Sequence, residues 1–372
     1  MIALVAGALA NKPGNGGNAW ARLSWTRGLE RLGVEAYFVE QLAAGASASG
    51  KAFFEAVFAA WGDRAHAGLF DSRSSPLAGG LDWDRLLAVA ERADVLINMS
   101  GHLQIPELRR AISTAVYIDD DPGYTQLWHL SGALGDRLAG HRAYYTFGTR
   151  IGRAGCRIPT AGVFWRPLLP PVVLDDWPVQ PSAGLDRVTT VASWRGPYGR
   201  LEHNGILYGQ KAHQLRAFAS VPSLAGRALE IALEIDPAEH HECEHLNAAG
   251  WTLADPRSAA GDPDAFRRYV QDSAAEFSVA QGIYVETQSG WFSDRTTRYL
   301  ASGKPAVVQD TGFSDTVETG RGLLTFTDPQ SAAAALGSLE RNFGDHARAA
   351  RALAEERFDS DTVLSRLLEE VM

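Results

Sequence analysis

Four clusters of polar residues stand where an α/β chain would do chemistry. In SGWFSDRTTRYLASGKPAVVQDTGFS, residues 289–314, the spacing predicts a helix from about Asp294 to Ser302, capped by Ser293 and stopped by Gly303, with Pro305 preventing its continuation. The first turn of such a helix offers unpaired N–H groups and a positive dipole end. Arg295 and the hydroxyls of Ser293 and Thr296 would complete a grip on phosphate, and a diphosphate suits the size. Asp294 competes for the same donors unless its carboxylate turns away. The loop NKPGNGGNAW places Gly14, Gly16 and Gly17 ahead of a helix capped by Asn18, and Gly16 and Gly17 let backbone approach a phosphate or sugar closely. The same loop reads as GxGxxA with Glu40 at the end of the next strand, which imitates the dinucleotide fingerprint. Gly14, however, follows its strand by several residues, whereas that fingerprint begins at the strand's end.

The third cluster is VTTVASWRGPYGR with Lys211 in LYGQKAHQLRAF. A strand ending near Ser193 and Arg195, with a lysine entering the next helix, puts a hydroxyl and two cations at a carboxyl sheet edge, where open α/β sheets bind ligands. In the fourth, ADVLINMSGHL and AVYIDDDPGYTQLW carry His102 and Asp119, Asp120 and Asp121 just beyond apolar strands. An imidazole or carboxylate there could take a proton from a hydroxyl, although DDDPG is also turn-like by composition. His241 and His245 have helical spacing in AEHHECEHL, but no second cluster supplies further ligands, so a polar surface helix and no metal site are expected.

The elements that must position these groups alternate. IALVAGAL, VEAYFV, ADVLINM, AVYID and AYYTF read as strands of a first half. VTTVAS, ALEIALEI, WTLAD, EFSVA, IYVET, PAVVQD and LLTF read as strands of a second. The first intervening helix carries Ala19, Leu23, Leu29 and Leu32 on one face and stops at Gly33. Residues 42–92 read as a looser insertion. Its Phe53, Phe54, Phe58 and Trp61 would suit a flat or apolar acceptor, or equally a small core. Four prolines in GVFWRPLLPPVVLDDWP mark a linker, and DSDTVLSRLLEEVM a capped amphipathic final helix.

The chain has 372 residues, 45% of them hydrophobic and 21% charged, which suits two globular domains with a cleft between them. Its net charge of −9 argues against a polyanion-binding surface, so no nucleic-acid polymer is expected as a partner. No apolar run reaches the roughly 18 residues of a membrane span. MIALVAGALANKPG lacks a basic leader and reads as the first strand of a cytoplasmic protein. Cys156 and Cys243 fall in different halves, which fits a reducing compartment.

PGNGGNAWARLSWTRGLERLGVEAYFVE, the WRG with its following lysine, and YLASGKPAVVQDTGF together resemble the two-domain GT-B glycosyltransferases, specifically the bacterial group allied to family 4 and the CgeB-like proteins. The resemblance implies an α/β fold of two Rossmann-like domains facing each other across a cleft. Residues 1–165 would bind the acceptor, 166–180 form a linker, 181–355 bind a nucleotide-diphosphate sugar, and 356–372 finish the second domain or reach back to the first. It implies a metal-independent hexosyltransferase-type enzyme without a cofactor, its donor sugar being a substrate. Gly16 and Gly17 would approach the diphosphate or sugar, Arg195 and Lys211 would neutralise the diphosphate beside Ser193, and the turn Ser293–Thr296 would cradle its phosphates. His102 would contact the donor sugar, with Asp120 or Asp121 as a catalytic base.

Many family 4 enzymes carry two glutamates, separated by seven residues, before their AxGxP element. Gly290 and Arg298 stand at those positions here, which leaves Glu286 or Thr297 for the ribose. PYGRLEHNGILYGQ, between Arg195 and Lys211, could cover the donor as a loop. Two other functions compete. A nicotinamide-dependent oxidoreductase would read the GxGxxA loop with Glu40, but leaves the second-half basic cluster without a role. A non-catalytic nucleotide-sugar-binding or coat-associated protein suits the missing glutamates.

Overall fold

The computed structural model describes residues 1–42, 47–196 and 198–372. Near-continuous apolar runs become strands buried on both faces, as parallel sheets require. The first sheet contains β1 (Ile2–Ala6), β2 (Glu35–Leu42), β3 (Ala67–Asp71), β4 (Pro76–Gly79), β5 (Val95–Met99), β6 (Ala115–Asp119), β7 (Ala143–Thr146) and β8 (Trp165–Pro167). Its order is β4-β3-β2-β1-β5-β6-β7-β8, parallel except for the β3–β4 pair.

After β9 (Val188–Ser193) comes an antiparallel hairpin of β10 (Leu201–His203) and β11 (Ile206–Tyr208). β12 (Leu229–Glu234), β13 (Trp251–Ala254), β14 (Ala275–Ser278), β15 (Ala306–Gln309) and β16 (Leu323–Phe326) complete a parallel sheet ordered β13-β12-β9-β14-β15-β16. Strand order reverses between β1 and β5 in the first sheet and between β9 and β14 in the second. Ligands of open α/β sheets sit beyond the carboxyl ends at such switch points.

Two expectations are revised. The insertion 42–92 supplies β3 and β4 to the first sheet, and Phe54 and Phe58 are buried against Phe38 in its core rather than offered to an acceptor. Residues 43–46 of that stretch lie outside the described residues. IYVET is not a strand but the helix Gly282–Glu286, because Ile283, Tyr284 and Thr287 are buried together at helical spacing and the Thr287 hydroxyl donates to the Ile283 carbonyl. The proline-rich stretch read as a linker is packed against other elements. Trp165–Pro167 is β8, Val172 donates its N–H to Phe358 O at 2.8 Å, and Trp177 is buried edge-on against Trp20 at 5.2 Å.

The helix Ser360–Val371 lies on the helix Gly16–Arg31, whose face follows β1. Arg31 pairs with Asp361 at 2.9 Å, and Tyr145 on β7 donates to Glu370 at 2.9 Å. The two helices meet at Gly28, where a Cβ would stand 2.7 Å from Leu364 Cδ1 and 2.8 Å from Ser360 Cβ. Gly28→Val is therefore expected to overpack this contact and lower stability by about 1–3 kcal/mol, read as a shifted urea midpoint with an unchanged slope.

Candidate functional site

At the carboxyl edge of the first sheet, Ser100 (φ 49°) and Gly101 (φ 61°) both turn left-handed after β5. A Cβ on Gly101 would lie 2.7 Å from the Arg137 carbonyl, so the turn needs glycine there, and it brings His102 towards the end of β6. Asp119 is buried, accepting from Gln126 Nε2 and Thr146 Oγ1 at 2.7 Å each. Asp120 pairs with Arg22 Nη2 at 2.8 Å and accepts from the Ser100 hydroxyl. Arg22 comes from the helix Gly16–Arg31 and is 5% exposed. Asp121 instead faces the second half, accepting from Tyr198 Oη at 2.9 Å and Tyr284 Oη at 3.2 Å.

These neighbours set the protonation states. Burial pushes Asp119 up to about 7 and His102 down to about 4, the Arg22 charge adding to the histidine's displacement. His102 is therefore neutral at physiological pH. Burial alone would raise Asp120, but Arg22, Ser100 and Lys12 outweigh it and hold the carboxyl well below the usual range. Asp121 is displaced upward by burial and by Asp120.

At the switch point of the second sheet, Arg295 is turned inward. Its Nε donates to Glu276 on β14 at 2.7 Å, Nη1 to Val191 O at 2.9 Å and Nη2 to Ser278 Oγ at 2.6 Å. The expected direct phosphate fork is thus engaged with the protein, because a guanidinium this buried needs acceptors for its donors. Lys211 begins the helix Lys211–Ala217 and lies close enough to Arg295 and Glu276 to feel both charges. Burial, then Arg295, push it down to about 7 against the pull of Glu276.

The helix after this edge runs Asp294–Ala301, and Ser293 stands at its cap position without a capping side-chain bond. Ser293 and Thr296 line a small pocket with Ser278, Trp291 and Gln309. Asp294 is turned towards Arg298, 3.1 Å away, so it does not occupy that turn.

The remaining expected residues are placed elsewhere. Ser193 donates to Glu234 at 2.8 Å, and Arg195 is exposed and ion-paired with Glu239, so neither is free beside Lys211. The cause is local, since two carboxylates at the β12 end reach them first. Gly16 and Gly17 face the second half: a Cβ on Gly16 would stand 2.0 Å from Asp262 O, and one on Gly17 3.3 Å from the Phe266 ring. Their lack of a side chain lets the helix Pro263–Gln271 approach, with Trp20 Nε1 donating to Pro263 O at 2.8 Å. Glu40 is buried, accepting from the N–H groups of Ala10 at 2.6 Å and Asn11 at 3.1 Å. Both its oxygens brace the glycine loop. Arg298 is 1% exposed and donates to Ser24 Oγ at 3.2 Å, and the Thr297 hydroxyl donates to Asp294 O at 2.7 Å. Of the two residues left for a ribose, only exposed Glu286 is accessible. His241 is a surface residue whose partner is Glu244 at 3.4 Å.

No family model and no curated protein sequence matches the chain. Solved structures do. HepE of Anabaena in complex with UDP-glucose matches with a TM-score of 0.61 at 14% identity, over 100% of this chain and 99% of its own. An alpha-glucosyltransferase in complex with UDP-glucose and DNA containing an abasic site matches with a TM-score of 0.62 at 12% identity, over 100% and 98%. Sucrose-phosphate synthase from Thermosynechococcus elongatus matches with a TM-score of 0.55 at 11% identity, over 100% and 98%. The fold is GT-B.

In this GT-B frame the residues that sequence reading missed are Arg22, Ser100, Tyr198 and Tyr284. Arg22 left a trace as a charge within a helix that is apolar on its packed side, and Tyr198 lay in the stretch PYGRLEHNGILYGQ read as a loop over the donor. Removing it strands Asp120 in a largely dry site. Arg22→Met is expected to lower stability by about 3 kcal/mol at neutral pH. Because an unpaired Asp120 would take up a proton as pH falls, the loss should shrink in acid, which denaturant unfolding at two pH values would measure.

Proposed function

We propose that this protein transfers a sugar from a nucleoside-diphosphate sugar to an acceptor hydroxyl. The observation that carries the reading is the pairing of two sites. A cationic switch point with Lys211, Arg295 and the first turn of the helix Asp294–Ala301 belongs to one sheet, and the Asp121 carboxylate after β6 reaches across to Tyr198 and Tyr284 of that half. Its support from comparison is the shared fold with proteins solved with UDP and UDP-glucose.

In the proposed reaction the acceptor oxygen bonds to the anomeric carbon while the bond from that carbon to the diphosphate oxygen breaks. The electron pair leaves with the diphosphate, whose charge is met by Lys211, by the field of Arg295 and by the N–H groups of the Asp294 turn. The proton of the acceptor passes to a cleft base. Asp120 is neutralised by Arg22 and His102 is weakly basic, so Asp121 is assigned that role, with His102 near the sugar. Glu286, whose carboxylate lies at Gly282 as does the backbone of Gly209, two residues before the Lys211 helix, is assigned to the ribose. No metal ligand is invoked, and among the described residues no group of three or more His, Cys, Asp or Glu gathers to hold one.

A dinucleotide reading lacks its carboxylate, because Glu40 is engaged by Ala10 and Asn11. The DNA bound by the alpha-glucosyltransferase is not carried over, since 44 acidic residues face 35 Lys and Arg here. No described helix is long and apolar enough to cross a membrane. The acceptor assigned is therefore a hydroxyl of a small molecule, glycan or protein.

The test is thermal stabilisation by UDP, GDP, dTDP, ADP and NAD(H). A nucleoside diphosphate is expected to raise the melting temperature, and Lys211→Ala to abolish the rise. Because the lysine is charged only below its displaced value of about 7, affinity should weaken as pH rises through and beyond that value, and Lys211→Arg should remove the dependence. Stabilisation by NAD(H) alone would overturn the reading. Nucleotide binding without release of UDP from UDP-glucose would assign a binding protein instead.

A further inference from the structure

Between Arg195 and Lys211 the chain carries Tyr198 and the hairpin β10–β11, an arm of the second half that lies on the first. The Tyr198 ring packs on the helix Tyr124–Leu130, 4.8 Å from Tyr124 and 4.8 Å from Trp128. Its hydroxyl donates to Asp121 Oδ2 at 2.9 Å. Tyr284, stacked on Trp291 at 4.4 Å, donates to the other oxygen, Oδ1, at 3.2 Å. Trp291 in turn lines the pocket of Ser293 and Thr296. Each oxygen of one carboxylate in the first half is thus held by a phenol from the second, one aromatic layer from the phosphate-suited turn.

We propose that Tyr198 and Tyr284 are positioning residues that set the Asp121 carboxylate for the transfer step, so that the base is assembled only when the donor-binding half closes on the acceptor-binding half. This rests on the glycosyl-transfer reading above. The titratable and charged groups facing Asp121 are Asp120 beside it, Arg22 from the first helix, Lys12 from the first βα loop, and Tyr124, Tyr198 and Tyr284. Burial and Asp120 favour its protonated form, whereas Lys12, the Tyr198 hydroxyl and Arg22 favour the charged one. A phenol O–H donates to the carboxylate without adding a charge, so its loss leaves the ring packing intact and makes Asp121 harder to ionise.

The experiment compares wild type with Tyr198→Phe, Tyr284→Phe and Asp121→Asn. With UDP-glucose as donor, release of UDP is followed against pH, to an added acceptor or to water. Asp121→Asn should lose about 100-fold or more, as for a general base. Tyr198→Phe should move the acid limb of kcat/KM up by about one pH unit, the size of one hydrogen bond to a charge, with donor KM within about twofold. Tyr284→Phe should move it less, its bond being longer.

An activity-free arm uses melting temperatures. For a carboxyl raised in the folded state, stability is fully present at acid pH and is lost as pH rises to the folded value. The Tyr198→Phe deficit should therefore grow as pH rises above the ordinary carboxylate range, and the growth should vanish on an Asp121→Asn background. A pH-independent deficit with an unmoved acid limb would overturn the proposal. So would a change confined to donor KM, which would place Tyr198 in the donor site instead. Failure of every nucleoside diphosphate in the panel to stabilise wild type would sink the glycosyl-transfer reading, while the melting arm would still report whether the tyrosines set Asp121.

Discussion

A buried guanidinium needs acceptors for its donors, and at each switch point this chain supplies a carboxylate for one. Arg22 with Asp120 holds the carboxyl end of the first sheet, and Arg295 with Glu276 holds that of the second. Losing one member of such a pair strands a charge in a medium that solvates it poorly. Both pairs also divide labour among their neighbours. Asp120 and Arg295 are committed to internal charged partners, so the proposed reaction turns on Asp121 and Lys211, the adjacent groups of the same sign.

The two halves touch through residues that a looser cleft would leave open. Gly16 admits the Asp262 carbonyl, Trp20 reaches Pro263, and Arg298 donates across to Ser24. Arg298 is the residue that the resemblance places at the second of the paired glutamates. It is buried against the first helix, where it donates to Ser24, so it offers nothing to a ligand in the cleft. In the proposed reaction the ribose is assigned to Glu286 instead. Aromatic packing around Tyr124, Tyr198, Tyr284 and Trp291 fills the space between.

Much of the fold was legible because parallel strands are runs of apolar residues and the helices between them carry periodic faces. The helix Asp294–Ala301 was readable from Ser293, Gly303 and Pro305, and Lys211 from its place after a strand. β3 and β4 were not, since AGLFD and PLAG are short and rich in small residues. IYVET misled because its β-branched and aromatic residues suit a strand, while its tertiary partners favour a turn of helix. The site was legible only as a set of candidates. Whether Arg195 faces a ligand or Glu239, and whether Glu40 reaches a ribose or Ala10, depends on contacts between residues about 30 to 44 positions apart that no local pattern encodes. Tyr198 was hidden for the same reason, its partner lying 77 positions away.

The donor-site assignment is tested most directly by hydrogen exchange of the intact chain with and without UDP, since a bound ligand protects the amides it orders. Protection is expected at the start of the helix Lys211–Ala217 and at residues 291–297. Protection confined to the glycine loop, residues 11–18, would contradict it and return the ligand to the first sheet.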